Sequence, residues 1–240
     1  MLARDQGDHA HGDALAAKGL ALSREAGDKH GVAWFLLTLG ISAMAQSDDT
    51  RAITLTEESL ALCEEVGDAW LMIIALHTLG HIAVKLAEYG RAAAFFEKSL
   101  SLSREVGDKY VIAMEFRNLG YLALTQGEYQ RAATLAKESL TLCKEVGPRW
   151  LMEVCVRDLA IVACAAGSYE QAARLFGAAE ASREFLERYL MERALLDRRV
   201  AEAKAQLGES TFEECWAEGR AMTLAQALEY ALAVEPTVND

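Results

Sequence analysis

His77 and His81 stand four residues apart, so on a helix their imidazoles share one face, the spacing at which two histidines can hold one metal ion. The motif that turns such a pair into a metalloprotease centre, His-Glu-x-x-His, is absent because Thr78 follows His77, and no third ligand is near in sequence. No metal is therefore assigned. Of the five cysteines, Cys63 and Cys143 take the place that Ser23 and Ser103 hold in a 40-residue register, so that position selects a small side chain. Cys155, Cys164 and Cys215 show no C-x-x-C spacing, which removes zinc and thioredoxin-like readings and leaves reduced, packed thiols as the expectation. Neither Gly-x-x-x-x-Gly-Lys-Ser/Thr nor Gly-x-Ser-x-Gly occurs, so there is no phosphate cradle and no nucleophile elbow. No catalytic residue and no cofactor is assigned, and the chain reads as a non-enzyme.

What remains is binding chemistry. Trp70, Tyr110 and Trp150 recur every 40 residues, and His77, Arg117 and Arg157 repeat at a second equivalent position, with His81, Lys85, Asn118 and Tyr121 beside them. Ring faces next to guanidinium and imidazole groups suit an extended peptide bearing carboxylates, or a sugar lying on the aromatics. The same residues equally suit a packing role, with the rings filling space and the arginines snorkelling to solvent.

The elements that would position these groups come from a repeat. Leu20, Leu60, Leu100 and Leu140 each open the same phrase, Leu-x-Leu-Ser/Cys-x-Glu-x-Gly, at intervals of 40 residues, and such a period marks a stack of identical supersecondary units. Within one unit Ile112, Phe116, Leu119 and Leu122 recur at helical spacing, Gly127 ends the helix, and a second helix from about Gln130 turns Ala132, Ala133, Leu135, Ala136, Leu140 and Leu142 inward. Gly27, Gly67, Gly107 and Gly147 are expected to stop helices with positive φ, Asp28, Asp68 and Asp108 to cap the next ones, and Pro148 to sit in a first turn. Gly40, Gly80, Gly120 and Ala160 in the first helices, and Ala52, Ala92, Ala132 and Ala172 in the second, predict a close crossing in every hairpin.

Phe116-x-x-Leu119-Gly120 with Ala123, Tyr129-x-x-Ala132, Leu76-x-x-Leu79-Gly80, Ala83, Tyr89, Ala92 and Phe96 together resemble the tetratricopeptide repeat family over about residues 8–185. The unit here is longer than the family's roughly 34 residues. The resemblance implies an all-α fold: a right-handed superhelical solenoid of antiparallel helix hairpins whose first helices line a concave groove that takes a peptide or protein. Residues 1–27 read as a half repeat, 28–185 as four hairpins, and 186–240 as capping helices over about Glu184 to Leu207, Thr211 to Glu218 and Thr223 to Ala233, separated by Gly208 and Gly219. The strings Ala172 to Glu180 and Trp216 to Thr223 further resemble the repeat arm of large bacterial ATP-dependent signalling and transcription regulators of the maltose-regulon-activator type. That resemblance implies an arm or fragment of a larger regulator, or a sensor domain for a small inducer such as a saccharide.

Charge narrows the partners. Lys plus Arg number 24 against 36 Asp plus Glu, a net charge of −12, which argues against nucleic acid and anionic membrane. The longest apolar run, Ala69 to Leu76, is far short of the roughly 20 residues of a membrane span, and no secretory leader follows Met1, so a cytoplasmic location is expected. Glu57, Glu58, Glu64, Glu65, Glu97, Glu105, Glu138 and Glu145 are expected on the outer faces of the second helices. The unpaired half repeat leaves a sticky edge through which two copies could associate.

Overall fold

The computed structural model describes residues 9–180 and 193–235, and these are helical almost throughout, in twelve α-helices with no strand. By contact the chain divides into two compact units, Met1–Gly107 and Asp108–Asp240, so two of the expected hairpins fall in each.

The first unit holds α1 (His9–Ala26), α2 (Lys29–Ala45), α3 (Asp49–Val66), α4 (Ala69–Lys85) and α5 (Tyr89–Val106). α2 pairs with α3 and α4 with α5, α3 packs on α4, and α1 lies on α2 as the second helix of a hairpin would. Start signals follow the sequence: Asp28 accepts from Gly31 N at 3.0 Å and Asp68 from Leu71 N at 2.9 Å, each cap stabilising its helix by about 1 kcal/mol. Gly27 and Gly67 stop the preceding helices at φ 68° and 73°. The turns inside the hairpins need a left-handed residue as well, and here Ser47 (φ 63°) and Ala87 (φ 59°) supply it. A side chain in that conformation costs on the order of 1 kcal/mol.

Packing within the unit is close. Ala52 and Ala92 are buried, and Phe96 lies so near Gly80 that a methyl there would come within 2.7 Å of the ring's Cδ1. Ser59 is buried and donates to the carbonyl of Ala33 at 2.7 Å, tying α3 to the backbone of α2. The outward glutamates are exposed as expected, and several bridge helices: Arg24 to Glu58, Lys29 to Glu65, Arg91 to Glu57 and Lys98 to Glu64. Such exposed pairs contribute little individually.

The second unit holds α6 (Lys109–Gln126), α7 (Tyr129–Val146), α8 (Arg149–Ala165), α9 (Tyr169–Ala178), α10 (Arg193–Leu207), α11 (Glu209–Arg220) and α12 (Leu224–Leu232). α6 pairs with α7 and α8 with α9, and Ser139 donates to the Ala113 carbonyl at 2.7 Å as Ser59 does in the first unit. α8 is the centre of this unit. It touches α6, α7, α9, α10 and α12, and every residue from Glu153 to Cys164 is buried.

Two expectations are corrected here. Gly147 is extended (φ −88°, ψ 152°) and not left-handed, because the proline that follows pushes the preceding residue out of helical conformations. Gly219 does not separate neighbouring helices but lies inside α11, where it faces α9; a methyl there would fall on the Arg174 carbonyl, 2.7 Å from its carbon and 3.0 Å from Ala178 N. Gly177 of α9 answers it, 3.0 Å from the backbone carbon of Trp216 by the same measure. The two glycines let α9 and α11 cross almost backbone to backbone. The helix expected from about Glu184 is described from Arg193 onward, and its earlier residues, like the expected boundary at 185/186, lie outside the described residues. Gly208 does break α10 from α11, at φ 77°, and Thr223 caps α12 in a reciprocal box with Gln226.

Candidate functional site

On the first unit, the first helices α2 and α4 carry the candidate surface. Trp70 opens α4 and stacks on Trp34 of α2, their ring centroids 5.9 Å apart and their planes within 12°. Both indoles remain open, at 39% for Trp34 and 45% for Trp70. Trp34 is not the repeat-equivalent of Trp70. That position in the first repeat is His30, which binds Asp68 at 2.8 Å, and Trp34 reaches the neighbouring indole from one helical turn further on. The signal available in the sequence was a tryptophan one turn after the ladder position.

Further along α4, His77 and His81 are half-buried with their Nε2 atoms 3.1 Å apart, and the ring of Phe96 packs edge-on against both. Lys85 is turned to Asp49 at 2.7 Å. Its charge is engaged within the unit.

On the second unit the candidates have different surroundings. Tyr110 is 37% exposed at the start of α6, whereas Trp150 is half-buried against the apolar core around α8. Arg157 is only 3% exposed: its Nη2 donates to Asp158 at 2.9 Å and its Nε to the same oxygen at 3.2 Å. Arg117 Nε reaches the other oxygen of Asp158 at 3.4 Å, and its guanidinium lies 5.6 Å over the ring of Tyr121, itself buried. Asn118 donates to the fully buried Glu115 at 3.0 Å. Arg157, Asp158 and Arg117 thus form an ionic cluster joining α8 to α6. The sequence offered Arg157 either as a groove residue or as a packing residue snorkelling to solvent, and the structure buries it on Asp158 in α8, on which α10 and α12 also pack.

The cysteines are all buried and free of disulfides. Burial pushes the Cys164 thiol up to about 11, and its Sγ donates to the Arg199 carbonyl at 3.4 Å. The contact between the Cys143 and Cys155 side chains lowers the Cys143 thiol and raises that of Cys155, which burial raises further. Among the described residues no group of three or more His, Cys, Asp or Glu is arranged to hold a metal ion, and no helix is long and apolar enough to cross a membrane.

Hairpins with capped first helices, small residues at the crossings and a fixed 40-residue register are matched by a family model, described as tetratricopeptide repeat, at residues 31–105 and 70–145. Over residues 31–145, just under half of its length, the chain is similar to tetratricopeptide repeats. The crystal structure of BtubC (BKLC) from P. vanneervenii is similar in fold, with a TM-score of 0.65 over 92% of each chain at 18% sequence identity. No curated protein matches the chain. Tetratricopeptide repeats in general are non-catalytic scaffolds for protein interactions, and the stacked indoles stand on two of their first helices.

Proposed function

We propose that this chain is a non-catalytic scaffold that binds an extended peptide or a protein surface on α2 and α4, with Trp34 and Trp70 as the anchor. The observation that carries the reading is the indole stack: two of the largest apolar side chains in the protein lie face to face and still open to solvent. Large exposed aromatics in a cluster mark interaction sites, and tryptophan is among the residues that most often dominate binding energy. With Arg157 inside and Arg117 on Asp158, ring faces rather than free guanidinium groups are what the first helices offer. The net charge of −12 favours a partner whose Lys or Arg side chains can lie over an indole.

A saccharide would use the same stack, its ring lying on an indole face. The reading of the chain as an arm of a larger ATP-dependent regulator rests on the strings Ala172 to Glu180 and Trp216 to Thr223. It joins this proposal as the setting in which such a surface would report binding.

The test is a peptide-display selection on the purified chain, with the Trp34→Ala/Trp70→Ala variant as counter-selection and a saccharide panel run by calorimetry beside it. Peptides held by the natural chain and at least about tenfold weaker on the variant, at matched Tm, support the reading. Equal binding by both proteins overturns it, and a saccharide hit in place of peptides moves the assignment to a small-molecule sensor.

A further inference from the structure

We propose that His77 and His81 form a two-histidine site on α4 for a late first-row divalent transition ion. The pair lies in the first unit, apart from the indole stack, and nothing in the scaffold reading requires it. Its geometry is that of a chelate. Two nitrogens bound to one ion at about 2.05 Å stand about 2.9 Å apart in a square-planar cis arrangement and about 3.4 Å apart in a tetrahedral one. The observed Nε2···Nε2 separation is 3.1 Å, between those limits.

The spacing has a structural cause. Residues four apart stack on one helix face, and the ring of Phe96, 6.2 Å from His77 and 5.5 Å from His81, backs both imidazoles and narrows their choice of rotamer. Phe96 is itself only 1% exposed and lies against Gly80, which sits between the two histidines in sequence. The backing wall is therefore rigid, and the order needed for chelation is present before an ion arrives.

Two imidazole ligands select by softness: Cu²⁺ most strongly, then Ni²⁺ and Zn²⁺, with Mg²⁺ and Ca²⁺ disfavoured because they prefer oxygen ligands. Structural zinc uses four protein ligands, so this site holds an exchangeable ion and not a folding determinant.

The experiment titrates the full chain with Ni²⁺ and Zn²⁺ by calorimetry, with Mg²⁺ as reference, and compares His77→Gln, His81→Gln and the His9→Gln/His11→Gln double variant. One ion per chain is expected, weakened at least about tenfold by either α4 substitution and unchanged by the N-terminal pair. Cu²⁺ electron paramagnetic resonance supplies a readout independent of stability: two coupled imidazole nitrogens in the natural chain and one in each single α4 variant. Far-UV circular dichroism in chelator confirms that the variants are folded. The proposal is overturned if no ion binds, if either single variant binds within about twofold of the natural chain, or if binding disappears with His9 and His11.

Discussion

Replacing Gly219 with alanine sets two physical effects against each other, and their magnitudes decide the sign. Gly219 lies within the last turn of α11, where alanine is favoured over glycine by up to about 1 kcal/mol on helix propensity alone. Against that, the new methyl would land on the Arg174 carbonyl oxygen of α9, 2.7 Å from its carbon and 3.0 Å from Ala178 N. All three atoms are backbone, so no side chain can rotate away and the helices must separate by on the order of 1 Å to restore ordinary contact. Overpacking of this kind costs about 1–3 kcal/mol where side chains absorb it, and a rigid backbone wall puts this site at or above the upper end. We expect a net loss of about 2 kcal/mol or more. The assay is urea unfolding followed by tryptophan emission, since Trp216 packs against Phe212 (ring centroids 5.3 Å) and Phe176 (6.5 Å) and reports the seating of α11 directly. Gly12→Ala in α1 is the control, because a methyl there meets nothing within 4 Å and only the propensity gain remains. If Gly219→Ala is as stable as the natural chain while Gly12→Ala gains, the close crossing of α9 and α11 is refuted.

Two further outcomes follow from the second unit. Arg157→Ala leaves Asp158 buried with Arg117 as its remaining cation in the cluster described, so unfolding stability should drop by about 3 kcal/mol; a change under about 1 kcal/mol in chemical denaturation would show that this guanidinium is solvated. Alkaline stability should depend on Cys164: its thiol ionises near 9 when unfolded but near 11 when folded, so between those values the unfolded chain binds fewer protons and stability declines as pH rises. Tm measured from pH 8 to 11 should fall less steeply in Cys164→Ala than in the natural chain, and parallel curves would remove this thiol from the account.

How far the sequence could be read follows from what the repeat encodes. The 40-residue register carries the caps at Asp28, Asp68 and Asp108, the buried alanines at 52, 92, 132 and 172, and the outward glutamates, because each is repeated in the same local setting. The buried serines at 59 and 139 are repeated too, and a polar residue recurring on an apolar face was the signal that they bond to the preceding helix. Arg157 could not be placed this way. It is buried on Asp158, and a cation on a first helix looks the same in sequence whether its neighbour is water or a buried carboxylate. Gly219 was read as a helix breaker for a related reason: a glycine near a helix end signals a stop and a close crossing with equal force. The indole stack was half legible, since Trp70 belongs to the ladder while Trp34 meets it through packing of α2 on α4.

The crossing of α9 and α11 also bears on how a further hairpin would be added to such an array. In a repeat stack every second helix offers its free side to the first helix of the next hairpin, and growth continues while that side stays open. Here α11 occupies α9 through contacts so tight that only glycine fits on both partners, and α10 and α12 cover α8 beside it. An additional hairpin could not displace them without prising backbones from one another. Shape thus seats α11 on α9, with the Arg174–Glu218 ion pair at 2.6 Å beside the crossing, and exchanging Gly177 and Gly219 for larger residues is the route by which an engineer would free that side of α9.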